Sequence, residues 1–373
     1  MNTSKKIWGW FFYDWACQPY NTLMVTFIIG PYFATVAAEY FITNGLDGAS
    51  SRANAQYYWS LTITIVGLIV GFTAPIIGAI ADNYGNRMKW IYLFSALLII
   101  GAFSSWFGLP DGSNWQWILF SFGIGFVGAE LAYIFSNAQL PSLGNRYKSK
   151  PRIGASFGSG LKDLWKTVVS LRNKKSTVRY LISNMFYRDS LNGLYSFGGV
   201  YAALVLDWSI VQIGTFGIVA ALAAAVCSWL GGKWDRRVGP KPVILVSIIV
   251  LTAVCVIVVG MSRVSFFGIP LAEGSSIPDN IFYGCGVLIG GFGGILQSAS
   301  RTMMVRHTNT SNSTQYFGIY GLLGRATAFL APALIAYVTA ITNSNNLGVS
   351  PLIFLFLIGL VLMLRVNPDG DMS

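Results

Sequence analysis

Ten segments of this chain are each long and apolar enough to cross a lipid bilayer, and this pattern constrains the fold more than any other feature. Each is an unbroken apolar run rather than a ten-residue alternation, which favours helices over a transmembrane barrel. The sequence therefore predicts an all-α, polytopic membrane helix bundle. The segments lie at about 7–38, 57–81, 90–108, 115–140, 178–206, 211–232, 241–262, 281–304, 315–341 and 350–366.

The scarcity of charge supports a lipid environment. Only 10% of the residues are charged and 54% are hydrophobic, whereas a soluble domain has about 25% charged residues. The net charge of +11 does not indicate nucleic acid binding, because the Lys and Arg residues lie in short loops between the apolar segments. Those residues are concentrated in every second loop, which predicts that both termini are cytoplasmic.

One long polar connection divides the chain. Residues 143–177 are predicted to form a basic cytoplasmic linker between a four-helix bundle at 1–142 and a six-helix bundle at 178–373. Apolar residues from Phe157 to Leu171 recur at helical spacing, which favours an amphipathic helix on the membrane surface. A solvated linker is the alternative interpretation.

A loop motif occurs twice on the predicted cytoplasmic side, as GAIADNYGNRMK after the second span and GGKWDRRVGPK after the sixth. Its first glycine permits close helix approach, its Asp can accept hydrogen bonds from a facing helix or pair with the nearby Arg, and its last glycine permits a tight turn. We interpret both copies as clasps that hold one conformation and release in another. The clasp residues are Gly78, Asp82, Gly85 and Arg87 in the first copy, and Gly231, Asp235, Arg236 and Gly239 in the second.

These loops resemble the signature loop of the major facilitator superfamily. Four further stretches resemble its bacterial branch that is similar to the fungal autophagy-linked vacuolar permeases: Tyr13–Phe33, Ser136–Pro141, Tyr180–Ala203 and Tyr316–Pro332. The resemblance implies a proton- or gradient-driven carrier with two six-helix halves, a central cavity and a location in the bacterial cytoplasmic (inner) membrane. For the fungal relatives it also implies amino-acid efflux.

The chain departs from that family in having ten predicted spans rather than twelve. The helices without a counterpart are the family's fifth and sixth, which the basic linker replaces. The N-terminal half would then leave part of the cavity wall open to lipid. Three explanations stay open: an internal deletion that impairs the carrier, a second copy or partner subunit that closes the wall, and a working ten-helix variant.

Three spans carry polar side chains at helical spacing and a fourth, the ninth span, carries a single arginine, although a charge at mid-bilayer costs about 2.5–3.5 kcal/mol on insertion scales. We predict that these side chains face a wet cavity and bind the solute or couple its movement to protons. The candidates are Asp14, Gln18 and Asn21 in the first span, Glu130 and Asn137 in the fourth, Asn184, Arg188 and Asn192 in the fifth, and Arg325 in the ninth. In the alternative interpretation, Asp14 pairs with Arg188 or Arg325 and only holds helices together. Asp189 points about 100° away from the stripe and is predicted to be structural.

The leading hypothesis is a secondary active transporter for a small solute, with amino acids or similar zwitterions as candidate substrates and protons as the coupling ion. A non-transporting membrane scaffold or sensor is the alternative. No catalytic constellation, cofactor motif or metal-ligand cluster is visible in the sequence, so we predict neither an enzyme nor a metal site. The glycine run Gly290–Gly294 lacks the residues of a phosphate loop and is interpreted as a helix-packing surface.

Overall fold

A computed structural model describes residues 3–84, 87–137, 174–307, 320, 323–324 and 327–371. Side chains are described at these positions except 3–7, 14, 18–19, 21–23, 74–84, 87 and 137. The predicted linker at 143–177 therefore lies almost entirely outside the described residues, as do the side chains of Asp14, Gln18, Asn21, Asn137, Arg325 and the first clasp loop.

The described part of the chain is almost entirely helical. Its helices are α1 (Thr3–Pro19), α2 (Gly30–Thr43), α3 (Gly48–Tyr84), α4 (Arg87–Ser104), α5 (Trp115–Asn137), α6 (Lys175–Val205), α7 (Ile210–Val238), α8 (Pro240–Val259), α9 (Ile277–Arg306), α10 (Leu330–Thr342), α11 (Asn345–Gly348) and α12 (Pro351–Leu364). A π-helical segment, Tyr20–Ile29, joins α1 to α2, and a 3-10 turn, Ser105–Phe107, follows α4. Strands β1 (Ser265–Phe266) and β2 (Ile269–Pro270) form a short antiparallel hairpin between α8 and α9.

Eight helical segments of the described residues are long and apolar enough to cross a membrane. The predicted spans 178–206 and 315–341 are not among them. The first corresponds to α6, which is 31 residues long but carries charged and polar side chains. In the second, nine of the 27 residues lie outside the described residues, and its helix α10 has only 13 residues. An all-α membrane bundle is confirmed, while the count of ten spans stays a prediction.

The first helix changes its geometry where the sequence places a proline. The α-helix ends at Pro19, and the following residues from Tyr20 continue as a π-helix. Proline withholds a backbone donor and disturbs the preceding turn, which accounts for the change of helix type at this point. The π-helical segment contributes Val25, Thr26 and Phe27 to the central cavity described below.

Helices α7 and α9 approach each other closely because small residues lie along their contact. A Cβ atom at Gly290 of α9 would lie 2.8 Å from the carbonyl carbon of Ala220 in α7, and one at Gly286 would lie 2.8 Å from Cδ2 of Phe216. Lipid supplies no hydrophobic force between helices, so such close backbone packing stabilises the pair. The glycine run is thus a helix-packing surface, as the sequence predicted.

The C-terminal tail folds back to cap α6. Asp371 accepts hydrogen bonds from the backbone N–H groups of Ser176 and Thr177, each at 2.8 Å, and from the Thr177 hydroxyl at 2.9 Å. A carboxylate at this position satisfies free N–H groups and interacts favourably with the helix dipole. Burial raises the pKa of Asp371, but the hydrogen bonds from Thr177 and Ser176 lower it by more, so the pKa lies below its ordinary value.

We expect Asp371→Asn to lower the free energy of unfolding by about 1 kcal/mol, because the charged cap is lost. Since the folded pKa is depressed, the stabilisation is complete above the unfolded pKa of about 3.9 and is lost as the pH falls through the folded value. Thermal unfolding in detergent at pH 7 measures the effect. Asp369→Asn is the control, because Asp369 is exposed and lies 3.9 Å from Arg306. Equal melting temperatures for the two variants would contradict the cap.

Candidate functional site

A cavity of about 630 Å³ lies in the middle of the bundle, between helices from the two parts of the chain. Its N-terminal wall comes from the π-helical segment, α3 and α5, and its C-terminal wall comes from α6, α7, α9 and the start of α10. Most lining residues are apolar or glycine, with a few polar groups among them. The polar side chains are Thr26, Glu130, Tyr133, Arg188, Asn192, Tyr195, Ser196 and Gln297.

Arg188 brings a positive charge to this cavity. It lies 13 residues into α6, or about 20 Å from the start of the helix, which is near the middle of a membrane. Its guanidinium carbon lies 5.6 Å from the centroid of the Tyr320 ring, within the range of a cation–π contact. A Cβ atom at Gly324 would lie 2.8 Å from Nη1 of Arg188, so the small residue leaves room for the guanidinium.

The predicted stripes meet the cavity only in part. Glu130 and Arg188 line it from α5 and α6, and Asn192 joins them one turn further along α6. Asn184 does not line it. It is 1% exposed and faces a second, smaller cavity of about 50 Å³ that shares Arg188 and Gln297 with the first.

Asp189 has a structural position. Its Oδ2 atom accepts a hydrogen bond from the backbone N–H of Ala331 at 2.9 Å, and the side chain is buried. Ala331 is in the first turn of α10, where free N–H groups require acceptors. The carboxylate therefore stabilises the junction between α6 and α10.

The end of the bundle that is predicted to be extracellular is closed by a buried polar cluster, which the sequence did not indicate. Gln56 of α3 donates to the Thr339 hydroxyl at 2.9 Å and to the Asn345 carbonyl at 3.1 Å. Asn345 donates in return to Oε1 of Gln56 at 3.1 Å and to the Arg52 carbonyl at 3.0 Å. We call Gln56, Thr339 and Asn345 the polar seal.

An ion pair between Arg52 and Asp207 at 2.9 Å accompanies the polar seal. The Arg52 guanidinium also donates to the Leu204 carbonyl at 2.9 Å. These contacts join α3 to the end of α6, so several polar contacts connect the two parts of the chain at this end. In the sequence, the available signal for the polar seal is Gln56, an amide directly before an apolar run. The partners of Gln56 are distant in sequence, so the cluster could not be predicted.

The second clasp loop forms the turn between α7 and α8. Gly239 has a φ of 84°, which a residue with a side chain rarely adopts, and its N–H donates to the Asp235 carbonyl at 2.8 Å. Gly231 packs on Ile295, as close helix approach requires. Arg236 does not pair with Asp235. Its Nε donates instead to the Gly232 carbonyl at 3.3 Å, and the buried Oδ1 of Asp235 has no hydrogen-bond partner among the described residues.

Comparisons with known proteins agree with this architecture. A family described as "Vacuole effluxer Atg22 like" matches residues 2–156 and 146–372. The chain belongs to this family. An "Uncharacterized MFS-type transporter YxiO" of Bacillus subtilis (strain 168) is 23% identical over 437 residues, with 98% of this chain and 96% of the relative covered.

Solved transporters share the fold of this Atg22-like chain. A mutant of the nucleoside transporter NupG has a TM-score of 0.55 and 14% identity, covering 94% of this chain and 98% of its own. A D-xylose-proton symporter has a TM-score of 0.53 and 11% identity, covering 94% and 98% respectively. The Atg22-like chain is therefore a multi-pass membrane protein of the major facilitator type, and its family consists of transporters of small solutes rather than enzymes.

The Atg22-like chain is shorter than its relative. The alignment to YxiO spans 437 residues and this chain has 373, so the relative carries at least 64 residues without a counterpart here. The two matched parts of the family overlap at 146–156, within the predicted linker. This number of extra residues is enough for two membrane helices of about 20 residues each with their loops.

Proposed function

We propose that this protein moves a small solute across the bacterial cytoplasmic membrane by alternating access, with both termini in the cytoplasm. The observation that carries the proposal is the central cavity, which lies between the two parts of the bundle and is lined by Glu130 on one side and Arg188 on the other. Burying such groups is costly unless they meet water, a partner or a solute. A membrane protein of this family has a direct use for them in binding its cargo.

Amino acids or similar zwitterions fit the proposed cargo best. The guanidinium of Arg188 provides a partner for a carboxylate, and the Glu130 carboxylate, together with Asp14, provides candidates for an ammonium group or for the coupled proton. Gln18, Asn21, Asn137, Asn184, Asn192 and Arg325 complete the set of candidate binding and coupling residues.

Counterflow of labelled amino acids in proteoliposomes tests the proposal. We expect saturable exchange by the wild type and acceleration by an inwardly directed proton gradient, with the proton effect reduced in Asp14→Asn or Glu130→Gln. If no solute of the panel exchanges and no pH gradient has an effect, the protein is a scaffold or sensor with a transporter fold.

We infer from the polar seal which side of the membrane the cavity is open to. Because the seal closes the predicted extracellular end, we propose that this conformation gives the cavity access to the cytoplasm, and that the seal must separate for the opposite access. Arg87 and Asp82 of the first clasp, with the second clasp, are the candidates for closing the cytoplasmic end in the alternate state.

We expect Gln56→Leu to increase exposure of the cavity to the outside by about 10- to 100-fold. The substitution leaves polar atoms of Thr339 and Asn345 buried without partners, and each such atom costs about 1–3 kcal/mol in the closed state. In a cysteine-free background, the labelling rate of Ile63→Cys by an external, membrane-impermeant maleimide reports this exposure, because Ile63 lines the cavity.

Thr62→Val is the matched control on the same helix, because the Thr62 hydroxyl donates only to the Tyr58 carbonyl of its own helix. It should leave the labelling rate unchanged. Equal labelling of the wild type and Gln56→Leu would show that the seal does not control access.

If two helices of the family have no counterpart in this chain, as the sequence predicts, part of the cavity wall is open to lipid. Only 17% of the α7 span is buried, and its exposed side chains include Leu222, Val226 and Trp229. We propose that a second copy of the chain covers this wall in the working ten-helix form. The mass of the protein in detergent, from light scattering, decides between a dimer and a monomer; a fully active monomer would exclude the need for a partner.

A further inference from the structure

The smaller cavity lies between α6 and α9, closer than the central cavity to the end predicted to be cytoplasmic. Its lining includes Asn184 and Arg188 from α6 and Gln297 and Arg301 from α9, with Tyr320 beside them. Within each helix the two residues are four positions apart and so lie near one face. Arg188 and Gln297 also line the central cavity, so the two cavities adjoin.

Asn184 presents an unusual polar group to this cavity. The residue is 1% exposed, and neither its Nδ2 nor its Oδ1 atom has a hydrogen-bond partner among the described residues. Reversing the amide would exchange the two atoms and still leave one donor and one acceptor buried. An unpaired buried polar group is costly, so its retention here indicates that it binds something in the cavity.

Two guanidinium groups adjoin this amide. Within the part of the chain that the structure describes, neither Arg188 nor Arg301 lies within salt-bridge distance of a carboxylate. The Arg188 guanidinium contacts the face of the Tyr320 ring. This contact is not with an anion, so the N–H donors are still able to bind one. Two cations that line one small cavity favour a negatively charged ligand.

The hydroxyl groups nearby are already in use. Tyr187 and Ser300 are joined at 2.7 Å, and Ser300 donates to the Leu296 carbonyl at 2.6 Å. The bond between Tyr187 and Ser300 joins α6 to α9 at the wall of the cavity, while the bond to Leu296 lies within α9. Among the described lining residues, Asn184 and the two arginines, together with the Gln297 amide, offer N–H donors to a ligand.

The size of the cavity limits what the donors can hold. A volume of about 50 Å³ accommodates a carboxylate group or a few water molecules, given that one water needs about 10–15 Å³ by this kind of measure. It does not accommodate a whole amino acid. A larger solute can place its anionic group here and its remaining atoms in the adjoining central cavity.

We propose that Asn184, Arg188 and Arg301 form an anion-binding subsite, which takes the carboxylate of the transported solute or a free inorganic anion. The assignment of the carboxylate to the cargo rests on the proposed transport function. The solute is then oriented, with its carboxylate toward the cytoplasmic end and its opposite end toward Glu130. Arg301, which is exposed, makes the first contact with an anion that approaches from that end.

Anion binding to the purified, detergent-solubilised full chain tests the subsite. The probes are sodium acetate and sodium chloride, and the measured quantity is the melting temperature. Each probe replaces the sodium salt of a large organic sulfonate, so that the ionic strength stays constant. We expect saturable stabilisation of the wild type. In Asn184→Leu and in Arg301→Gln the half-saturating concentration should rise at least tenfold, because each variant removes a donor without removing a hydrogen bond of the protein that the structure shows.

Arg179→Gln is the matched control. It removes the same charge from the same end of the bundle. Among the described residues, the hydrogen bond of the Arg179 guanidinium is to the Arg365 carbonyl, at 3.5 Å, in an exposed position. Its anion affinity should equal that of the wild type. An equal loss of affinity in Arg179→Gln would overturn the proposal, since a general surface charge would then explain the binding.

The two probes separate the sources of the anion. Saturation by acetate and not by chloride supports a solute carboxylate. Saturation by chloride, weakened in the same variants, supports a free inorganic anion. If neither anion gives saturable stabilisation, the subsite is overturned. Counterflow is measured separately. Anion binding without counterflow of any solute would contradict transport and leave the subsite standing, whereas counterflow that both variants leave unchanged would contradict the subsite alone.

Discussion

Arg188→Gln should reduce the initial rate of amino-acid counterflow by about 100-fold. A hydrogen bond to a charged group contributes about 1.5–3 kcal/mol, and a guanidinium can make two to one carboxylate. Losing about 3 kcal/mol of binding corresponds to about a 100-fold change, since 1.4 kcal/mol is a factor of ten. The shorter Gln side chain keeps polar atoms at this position but loses the charge and the paired donors.

Arg188→Lys separates charge from geometry. Lysine keeps the positive charge but lacks the planar pair of donors, so we expect a loss of about tenfold rather than 100-fold. Arg179→Gln, on the same helix and outside both cavities, should transport at the rate of the wild type. Normal counterflow by Arg188→Gln would mean that this arginine only packs on Tyr320 and does not bind the solute.

Gly290→Leu should destabilise the protein by about 3 kcal/mol or more, because its side chain must enter the space occupied by the backbone of Ala220. Helices α7 and α9 would have to separate, and among the described residues α9 is the main neighbour of α7. The fraction of protein that elutes as a single species in detergent, and its melting temperature, measure the change. Transport should be lost as well, since both helices line the cavity.

Gly284→Leu is the control for this experiment. Gly284 belongs to the same helix, and a Cβ atom there would meet nothing within 4 Å. The same side chain would therefore extend into open space, and the melting temperature should stay within a few degrees of the wild type. A similar loss in both variants would mean that the glycines matter for the helix itself and not for its contact with α7.

The polar stripe of α6 shows how far helical spacing can predict a site. Asn184, Arg188 and Asn192 are each four residues apart, but four residues turn a helix by about 400°, so each step rotates the next side chain by about 40°. Arg188 and Asn192 therefore face the central cavity while Asn184 faces the smaller one. Helical spacing placed all three residues near one face of α6, and the rotation between them divided the stripe between two cavities.

The clasp loops illustrate the same limit. The spacing of glycines in GGKWDRRVGPK correctly predicted a close helix contact at Gly231 and a tight turn at Gly239. It did not predict the partner of Arg236, since a long side chain can reach either the Asp235 carboxylate or the Gly232 carbonyl. The backbone conformation at a glycine can be predicted from the residues next to it. The choice among side-chain partners depends on the surrounding helices.

The sequence by itself determined that this chain is a membrane protein, that its segments are helices, and that it belongs with the major facilitator transporters. Apolarity and loop charge are local properties, so they can be read without knowing which helices touch. Only the tertiary structure decided which polar groups meet. Gln56 and Thr339 are 283 residues apart, and nothing in either segment selects the other until α3 packs against α10 and excludes water from both.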